Sequence, residues 1–547
     1  MPARAVGSRP LPGRQAIPPA APRVRRWRMM LAALVCLLAG ALLLAFWAGI
    51  DRAATPAGVI VLTSAMFALN ALWLASGASV ALLGAAPRPR RREPLRAGPA
   101  GGRCGILWLV CGEPPAPLAR RAIALRDDLE RSGLAARCDI FILSDTRGGE
   151  ARETEARLFA GLHGIRYRNR PDNTGRKPGN IADWIGTHGG RYETILVLDA
   201  DSRFTAHRLA EMLARMDAEP GLGLIQSAIR LRPGGSRLAG MLRLSSRLCG
   251  PGFARGTARW TGTEGNYWGH NALIRTAAFA ASAGLPRLSG RAPWGGAVLS
   301  HDFVEAAWLR RAGWAVEIDP ETRGSFEEAP ETLAEFHRRD RRWCQGNLQH
   351  LRLLGAAGLH PVSRLHLLSG IQSYLSAPLW LGLLAVFASG ALVPTPAALW
   401  SVAGVAALLL LPKAAGLAEG LARLRGRPRA RRVLWRAAGA ELALSTAVAP
   451  IVMLRQSLAV AAVLAGRDSG WKPGIYSRQA PAMPAGSLEA LAGIGLLAVA
   501  LFQGPAGAVL MPVALPLLAA PALIRWFDAP RPRRGGRQPS ALAAQEG

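Results

Sequence analysis

Long apolar segments near both ends of the chain constrain its fold more than any other feature. Residues 29–50 and 57–85 are apolar, residues 103–355 contain no comparable segment, and apolar segments return after residue 355. A helix needs about 20 apolar residues to cross a bilayer, and each of the first two segments is long enough. Because backbone polar groups inside a bilayer need internal partners, such segments must be helical. The sequence therefore predicts a membrane protein with a separate domain inserted between two groups of transmembrane helices.

The distribution of arginine predicts how the chain is oriented. The formal net charge is +31, and basic residues flank the apolar segments. Cytoplasmic loops of membrane proteins are enriched in arginine and lysine, so the inserted domain and both termini are predicted to be cytoplasmic. We predict five segments: a disordered basic tail over residues 1–28, a transmembrane hairpin over 29–85, the inserted domain over 103–355, transmembrane or interfacial helices over 367–524, and a basic tail over 525–547. No arginine-rich helix is interleaved with stacking aromatic residues, so nucleic-acid binding is not expected.

The membrane segments after residue 355 are less uniform than the first two. Four of them complete a predicted set of six spans: residues 367–392, 397–416, 488–502 and 506–524. Residues 434–466 are apolar but are interrupted by charged residues and by Pro450. This pattern predicts an interfacial or re-entrant helix, with a kinked span as the alternative. The polar loop 467–485 is predicted to return to the cytoplasm, where we hypothesise that it gates the donor site.

The inserted domain alternates short apolar runs with amphipathic segments. Strands are predicted over residues 105–110, 139–143, 165–168 and 194–198, and helices over 118–132, 150–162 and 180–190. Alternation of this kind is typical of a parallel sheet wound with helices. Ligands of such sheets bind at the carboxyl ends of the strands. The fold class predicted is an α/β domain inserted in an α-helical membrane domain.

Two carboxylates end the most apolar of these strands. Asp199 and Asp201 follow residues 194–198, and their spacing places both side chains on one face of an extended chain. Paired carboxylates can share a hard divalent cation, Mg²⁺ or Mn²⁺, that also takes phosphate oxygens. This suggests transfer from a nucleotide-diphosphate donor, with the cation neutralising the leaving diphosphate. The alternative is a surface turn, because Asp-x-Asp often occurs by chance.

Two further patches precede this pair in the sequence. Asp145 ends the predicted strand 139–143, where the uridine of a donor could lie; a loop-capping aspartate is the alternative. Lys177, in Arg176-Lys-Pro-Gly-Asn180, can meet a phosphate as a point charge, and Gly179 allows close backbone approach. Asn180 is also a good helix N-cap, which is the structural alternative for this segment.

Two more candidate patches follow the Asp199/Asp201 pair in the sequence. Asp302 lies near the start of a helix predicted over residues 299–311, a position that favours an ionised carboxylate and suits a general base. A capping aspartate is the alternative. Arg339, Arg342 and Trp343 lie on a second predicted helix, where a tryptophan flanked by arginines can hold a sugar face and a diphosphate together. The alternative is a basic patch that faces the membrane.

In order and spacing, Asp145, the Asp199/Asp201 pair, Asp302 and Arg339-x-x-Arg342-Trp343 resemble the signature of processive family-2 glycosyltransferases, which have a GT-A fold. A closer resemblance is to the glucans biosynthesis glucosyltransferase H family (OpgH/MdoH). It is carried by five sequences: Tyr267-Trp-Gly-His-Asn-Ala272, Leu299-Ser-His-Asp-Phe-Val-Glu-Ala-Ala307, Arg310-Arg-Ala-Gly-Trp314, Gly324-Ser-Phe-Glu-Glu328 and Arg339-Asp-Arg-Arg-Trp-Cys-Gln-Gly-Asn347. Ser373-Tyr-Leu-Ser-Ala-Pro-Leu-Trp380 extends it into the membrane region. Arg339 replaces the glutamine of the broader signature and Ser300-His301-Asp302 replaces Thr-Glu-Asp, and both departures agree with the closer family. Gly112 stands where asparagine is usual.

The resemblance implies a function and a role for each matched residue. It implies an inverting glucosyltransferase of the bacterial inner membrane that builds the β-1,2-glucan backbone of osmoregulated periplasmic glucans from UDP-glucose, with a periplasmic glucan-biosynthesis protein as a further partner. The implied roles are UDP contact for Asp145 and Lys177, diphosphate and Mg²⁺ or Mn²⁺ binding for Asp199 and Asp201, the catalytic base for Asp302, diphosphate and acceptor contact for Arg339, Arg342 and Trp343, and acceptor contact for Tyr267, Trp268, His270 and Asn271. The alternatives are a cellulose, chitin or hyaluronan synthase, or a non-catalytic glucan-export component.

Overall fold

The computed structural model describes residues 20–87, 101–282, 284–468 and 484–531. The strands of the described chain are β1 (Cys104–Val110), β2 (Cys138–Ser144), β3 (Ile165–Asn169), β4 (Thr194–Asp199), β5 (Arg203–Phe204), β6 (Leu222–Ser227), β7 (Arg230–Leu231), β8 (Ala272–Arg275), β9 (Ala315–Asp319) and β10 (Ser325–Glu327). The helices are α1 (Pro22–Ala48), α2 (Ala57–Ala85), α3 (Pro115–Arg131), α4 (Gly149–Ala160), α5 (Arg176–His188), α6 (Ala206–Ala218), α7 (Arg237–Thr261), α8 (Thr276–Ser282), α9 (His301–Arg311), α10 (Leu333–Gln349), α11 (Pro361–Ala388), α12 (Ala398–Arg423), α13 (Pro428–Leu464), α14 (Ser487–Phe502), α15 (Met511–Leu518) and α16 (Ala520–Asp528).

The inserted domain is built on a seven-stranded sheet with the order β3-β2-β1-β4-β8-β6-β9. The four strands predicted from the sequence are confirmed as β1 to β4, and they pair in parallel. The sheet is nevertheless mixed, because β8 runs antiparallel to both β4 and β6. A small sheet, β5-β10-β7, lies beyond the carboxyl end of β4. Its strand β10 places Glu327 in the same cavity wall as Asp199 and Asp201, at the end of β4.

Side-chain alternation along β1 explains why helices cover both faces of the large sheet. Ile106 and Trp108 point into one core with α3 and α6, whereas Leu107 packs in a second core with α5 and α9. Gly105 allows α5 to approach closely, because a Cβ there would lie 2.6 Å from the ring of Trp184. All of these strand residues are fully buried, which fits the continuous apolar runs seen in the sequence.

The first helix begins earlier than predicted. Residues 22–28 belong to the tail that the sequence predicts to be disordered, but α1 starts at Pro22. Proline is well suited to the first turn of a helix. The early turns are also anchored: Arg28 donates to the carbonyl oxygens of Trp260 and Thr261, and Arg259 stacks over Trp27. The rest of the predicted tail, residues 1–19, lies outside the described residues, as do 532–547.

Within the described residues, five helices are long and apolar enough to cross a membrane, namely α1, α2, α11, α12 and α13. The helix α13 covers residues 434–466 almost completely, so the structure favours the alternative of a kinked span over an interfacial segment. Two charged residues of its apolar part have partners on other helices: Glu441 accepts from Lys413 at 2.7 Å, and Arg455 pairs with Glu489. These long-range pairs explain why a charged apolar segment forms one continuous helix.

The final pair of predicted spans is corrected by the structure. The helix α14 has 16 residues, which is short for a bilayer span. The predicted span 506–524 is broken: Gly504–Leu518 and α16 meet at an angle of 54°. Pro516 and Pro521 lie on either side of this bend, where proline removes backbone donors. The predicted gating loop 467–485 lies mostly outside the described residues.

Candidate active site

A cavity of about 1140 Å³ opens at the carboxyl ends of β1, β2 and β4. Its walls come from the inserted domain, including the first turns of α5 and α9 and one face of α10. Ten of the residues predicted from the sequence line it: Asp145, Lys177, Asp199, Asp201, Trp268, His270, Asp302, Arg339, Arg342 and Trp343. Tyr267 and Asn271, the other two predicted residues, do not line it. The fold therefore brings together residues from six separate stretches of the sequence.

The Asp199/Asp201 pair lies at the end of β4, as predicted. Asp199 forms an ion pair with Lys177 from α5, and its backbone N–H donates to Ser202 Oγ at 3.1 Å, which fixes the turn. Burial acts to raise the pKa of Asp199, but Lys177 and His270 outweigh it and hold that pKa below its ordinary value. Burial and the neighbouring charge of Asp199 raise the pKa of Asp201 to about 6. The two carboxylates thus repel each other at the cavity wall.

This pair suits a divalent cation that is completed by a substrate. Among the residues that the structure describes, no three His, Cys, Asp or Glu side chains converge as a preformed metal site. Mg²⁺ is commonly held by only one or two carboxylates together with substrate phosphates and water. The mutual repulsion that raises the pKa of Asp201 is the kind of electrostatic cost that a cation removes. Asp199 and Asp201 therefore fit a metal shared with a diphosphate.

Asp145 is held more firmly than the sequence indicated. Its carboxylate receives the guanidinium of Arg170, with Nη2 at 2.9 Å from Oδ2, and the amide of Asn180 at 3.0 Å from Oδ1. Asn180 is not an N-cap, because α5 already begins at Arg176 after Gly175. Its side chain instead reaches back to the end of β2. Asp145 lines the cavity, and with Arg170 Nε also donating to Oδ1, a carboxylate with about four acceptor sites can still accept from a ligand.

Asp302 lies in the first turn of α9, as predicted, and faces the same cavity. Burial raises the pKa of its carboxyl group above the ordinary value, and His301 acts in the opposite direction. Gly269, with a φ of +87°, passes close to it: a Cβ there would lie 3.6 Å from Asp302 Oδ2. The glycine leaves the carboxylate accessible from the loop that precedes β8.

That loop carries the predicted acceptor residues, which divide into two groups. Trp268 and His270 line the cavity, and His270 Nε2 lies 3.1 Å from Glu327 Oε2. Tyr267 and Asn271 are fully buried, which corrects their predicted placement on the acceptor wall. Tyr267 Oη donates to the carbonyl oxygen of Gly269 at 2.6 Å, and Asn271 Nδ2 donates to Ser325 Oγ at 2.9 Å. They shape the loop rather than present side chains to a ligand.

The helix α10 supplies the basic and aromatic wall. Arg339 Nη2 lies 3.5 Å from Asp201 Oδ2 and 3.1 Å from Glu335 Oε1. Burial lowers the pKa of Arg342, as does the positive charge of Arg339, so this side chain gains from an anion in the cavity. Trp343 is 45% exposed, which leaves its ring free to stack. A sugar diphosphate supplies both an anion and an apolar ring face.

Several cavity residues were not predicted from the sequence. Glu113 and Glu327 line the wall, as do Arg176 and His301. Glu327 and His301 lie within sequences that carry the family resemblance. The resemblance was therefore a signal that could have identified both residues. Arg170 had no such signal, because its role depends on the pairing of β2 with β3, which brings it beside Asp145.

Comparison with known proteins identifies the family. The family model described as Glycosyl transferase family group 2 matches residues 194–412. Glucans biosynthesis glucosyltransferase H of Xanthomonas campestris pv. campestris (strain B100) is 39% identical over 460 residues, which are 78% of this chain and 69% of that protein. This chain belongs to the glucans biosynthesis glucosyltransferase H family. The family model and the mixed sheet together confirm the predicted GT-A-type α/β domain inserted in a helical membrane region.

Other relatives differ in how much of their length is matched. The family member from Rhodopseudomonas palustris (strain ATCC BAA-98 / CGA009) is 43% identical over 68% of this chain, but this chain spans only 55% of that protein. Among solved structures, the mannosyltransferase PcManGT from Pyrobaculum calidifontis, in complex with GDP-Man and Mn²⁺, is 17% identical. That comparison has a TM-score of 0.41 and covers 70% of this chain and 97% of that one.

Proposed function

We propose that this protein is an inverting glucosyltransferase that extends a β-1,2-linked glucan from UDP-glucose. The observation that carries the proposal is that Asp302 and the Asp199/Asp201 pair face one cavity. A diphosphate leaving group and a general base are the two requirements of a single-displacement glycosyl transfer. Membership of the glucosyltransferase H family supports glucose as the transferred sugar.

The donor would lie across the carboxyl ends of the strands. Asp145, fixed by Arg170 and Asn180, would receive the nucleoside, and Lys177 would meet the diphosphate. Asp199 and Asp201 would hold Mg²⁺ or Mn²⁺, which supplies positive charge to the leaving diphosphate. Arg342 would add a charge-assisted hydrogen bond, since its burial favours an anionic partner.

The acceptor would approach from the side of Trp268 and Trp343. The hydroxyl of the terminal sugar gives its proton to Asp302 as its oxygen bonds to the anomeric carbon of the donor. The bond from that carbon to the UDP oxygen breaks on the opposite face, and UDP leaves. One displacement inverts the configuration, which converts the α-linked donor into a β-linked product. His270 and Glu327, paired at 3.1 Å, would line the path of the acceptor.

The membrane helices support a location in a bilayer for this reaction. Five described helices are long and apolar enough to span it. We propose the bacterial inner membrane, with the inserted domain on the cytoplasmic side, where nucleotide sugars are made. The helices after residue 355 would provide the exit path for the glucan, and a periplasmic glucan-biosynthesis protein would receive it.

The experiment is UDP release by detergent-purified protein supplied with UDP-glucose and Mg²⁺. Asp302→Asn removes the base and should lower the rate by about 10²- to 10⁴-fold, the usual contribution of general base catalysis. Asp183→Asn is the matched control, because Asp183 is exposed, pairs with Arg168 and does not line the cavity. Equal rates for Asp302→Asn and the unaltered protein would refute the assignment. Turnover of a different nucleotide sugar would keep the mechanism but refute the substrate, and no turnover of any donor would favour an export component.

A further inference from the structure

The helix that carries Asp302 also carries a buried pair of titratable side chains. His301 Nδ1 lies 3.1 Å from Glu305 Oε2, one turn further along α9. The exposed fraction is 14% for His301 and 0% for Glu305. The other carboxylate oxygen, Glu305 Oε1, has no hydrogen-bond partner among the residues that the structure describes. A carboxylate buried in this way is strongly destabilised unless a cation accompanies it, so Glu305 favours the protonated form of His301.

This pair adjoins the proposed base. His301 and Asp302 are consecutive, and both line the cavity. Burial opposes the protonation of His301, but Glu305 and Asp302 outweigh it and raise the pKa of His301. Burial in turn raises the pKa of Asp302, and the charge of His301 is the strongest influence that lowers it, ahead of the smaller opposing effect of Glu305. Two groups that neighbour each other therefore stabilise each other's charged forms.

Other titratable groups around Asp302 are already engaged or neutral. Lys177 on α5 acts on Asp302, but it forms an ion pair with Asp199 on β4. Tyr267 is buried, and its pKa is raised far above the physiological range. His350, after α10, contacts Ser300 O at 3.0 Å, and burial lowers its pKa to about 4. His301 is thus the cation that stands beside the base and is held there by a dedicated partner.

We propose that protonated His301, held by Glu305, is a positioning residue that keeps Asp302 ionised and able to accept the acceptor proton. The inference rests on the proposed function, because it takes Asp302 as the base. In the step itself the acceptor O–H gives its proton to Asp302, which changes from a carboxylate with charge −1 to a neutral carboxylic acid. His301 keeps its own proton throughout. The imidazolium offsets the desolvation of the carboxylate before the transfer.

The test is the dependence of kcat/KM for UDP-glucose on pH. Because a cation favours the ionised carboxylate, His301→Gln should raise the pKa of Asp302 and move the acidic limb of the profile upwards by about one pH unit. His301→Lys keeps a positive charge and should return the limb towards its original position. His207→Gln is the matched control: His207 pairs with Glu211 at the same i, i+4 spacing, 3.5 Å away on α6, and it does not line the cavity. This control should leave the limb unchanged.

Two results would overturn the inference: an acidic limb that does not move in His301→Gln, or one that His301→Lys fails to restore. If His301→Gln is not monodisperse after purification, the limb of His301→Asn decides in the same way. An unaltered protein with no turnover would refute the proposed function and the inference together. Normal turnover with an unmoved limb would refute the inference alone.

Discussion

The buried carboxylate of Glu264 joins the inserted domain to the membrane helices, and its removal should destabilise both. Glu264 is 1% exposed and pairs with Arg28 of α1 and, at 3.4 Å, with Arg310 of α9. His360, which caps α11, lies 3.5 Å from the same carboxylate. Arg310 is 2% exposed, and although burial lowers its pKa to about 10, it stays charged at neutral pH.

Glu264→Gln should leave the guanidinium groups of Arg28 and Arg310 without their anion, while preserving the shape of the side chain at position 264. Loss of one partner from a buried ion pair costs about 3–5 kcal/mol. At roughly 2–4 °C per kcal/mol for a domain of this size, the midpoint of thermal unfolding should fall by roughly 6–20 °C. The assay is thermal unfolding in detergent, followed by tryptophan fluorescence.

Glu130→Gln is the matched control for this substitution. Glu130 is 59% exposed and lies 4.0 Å from Arg126, so its pair is a surface pair worth about 0–1 kcal/mol. If Glu264→Gln lowers the midpoint no more than Glu130→Gln does, the cluster does not hold the domain against the membrane helices. Since Glu264 begins the loop that leads to Trp268, a loss of stability should also disturb the proposed acceptor wall.

Three further predictions concern the metal, the donor and the helix packing. Chelation with EDTA should abolish UDP release, and excess Mg²⁺ or Mn²⁺ should restore it; activity that survives chelation would contradict a role for a cation at Asp199 and Asp201. Lys177→Met should lower kcat/KM for UDP-glucose by about 100-fold, because it removes a charge beside the diphosphate. The control is Arg120→Met, at a basic residue outside the cavity. An equally small effect of both substitutions would contradict the proposed contact between Lys177 and the diphosphate. Gly84→Ala should lower the unfolding midpoint, because the added Cβ would lie 1.8 Å from the Gly252 carbonyl oxygen. Gly77→Ala is the control and should leave the midpoint unchanged, because a Cβ at Gly77 has no heavy atom within 4 Å. Equal midpoints for the two variants would show that α2 and α7 do not pack this closely.

The sequence predicted the central strands and the carboxylates that follow them for a simple reason. Strands buried on both faces are continuous apolar runs, so β1, β2 and β4 are evident without an alignment, and Asp145 and Asp199 mark where two of them end. The position of Asp302 at the start of a helix could be predicted equally well, because helix starts have a recognisable local pattern. Local signals of this kind place residues at the correct edge of a sheet.

Features that depend on distant contacts were not predictable in the same way. The antiparallel direction of β8 is not encoded in the four residues of that strand. The inward orientation of Tyr267 and Asn271 follows from partners on the loop and on β10. In the sequence, the charges in α13 argue against a continuous helix, because nothing nearby neutralises them. Their partners, Lys413 and Glu489, lie on other helices.

The central claim is that the cavity joins glucose units from UDP-glucose through β-1,2 bonds, and linkage analysis of the product tests it most directly. Purified protein is incubated with UDP-glucose and Mg²⁺, and the polymer is permethylated, hydrolysed and identified by its methylated sugars. We expect 2-substituted glucose from the unaltered protein and no polymer from Asp302→Asn. A polymer of 3- or 4-substituted sugars would contradict it and would indicate another processive synthase.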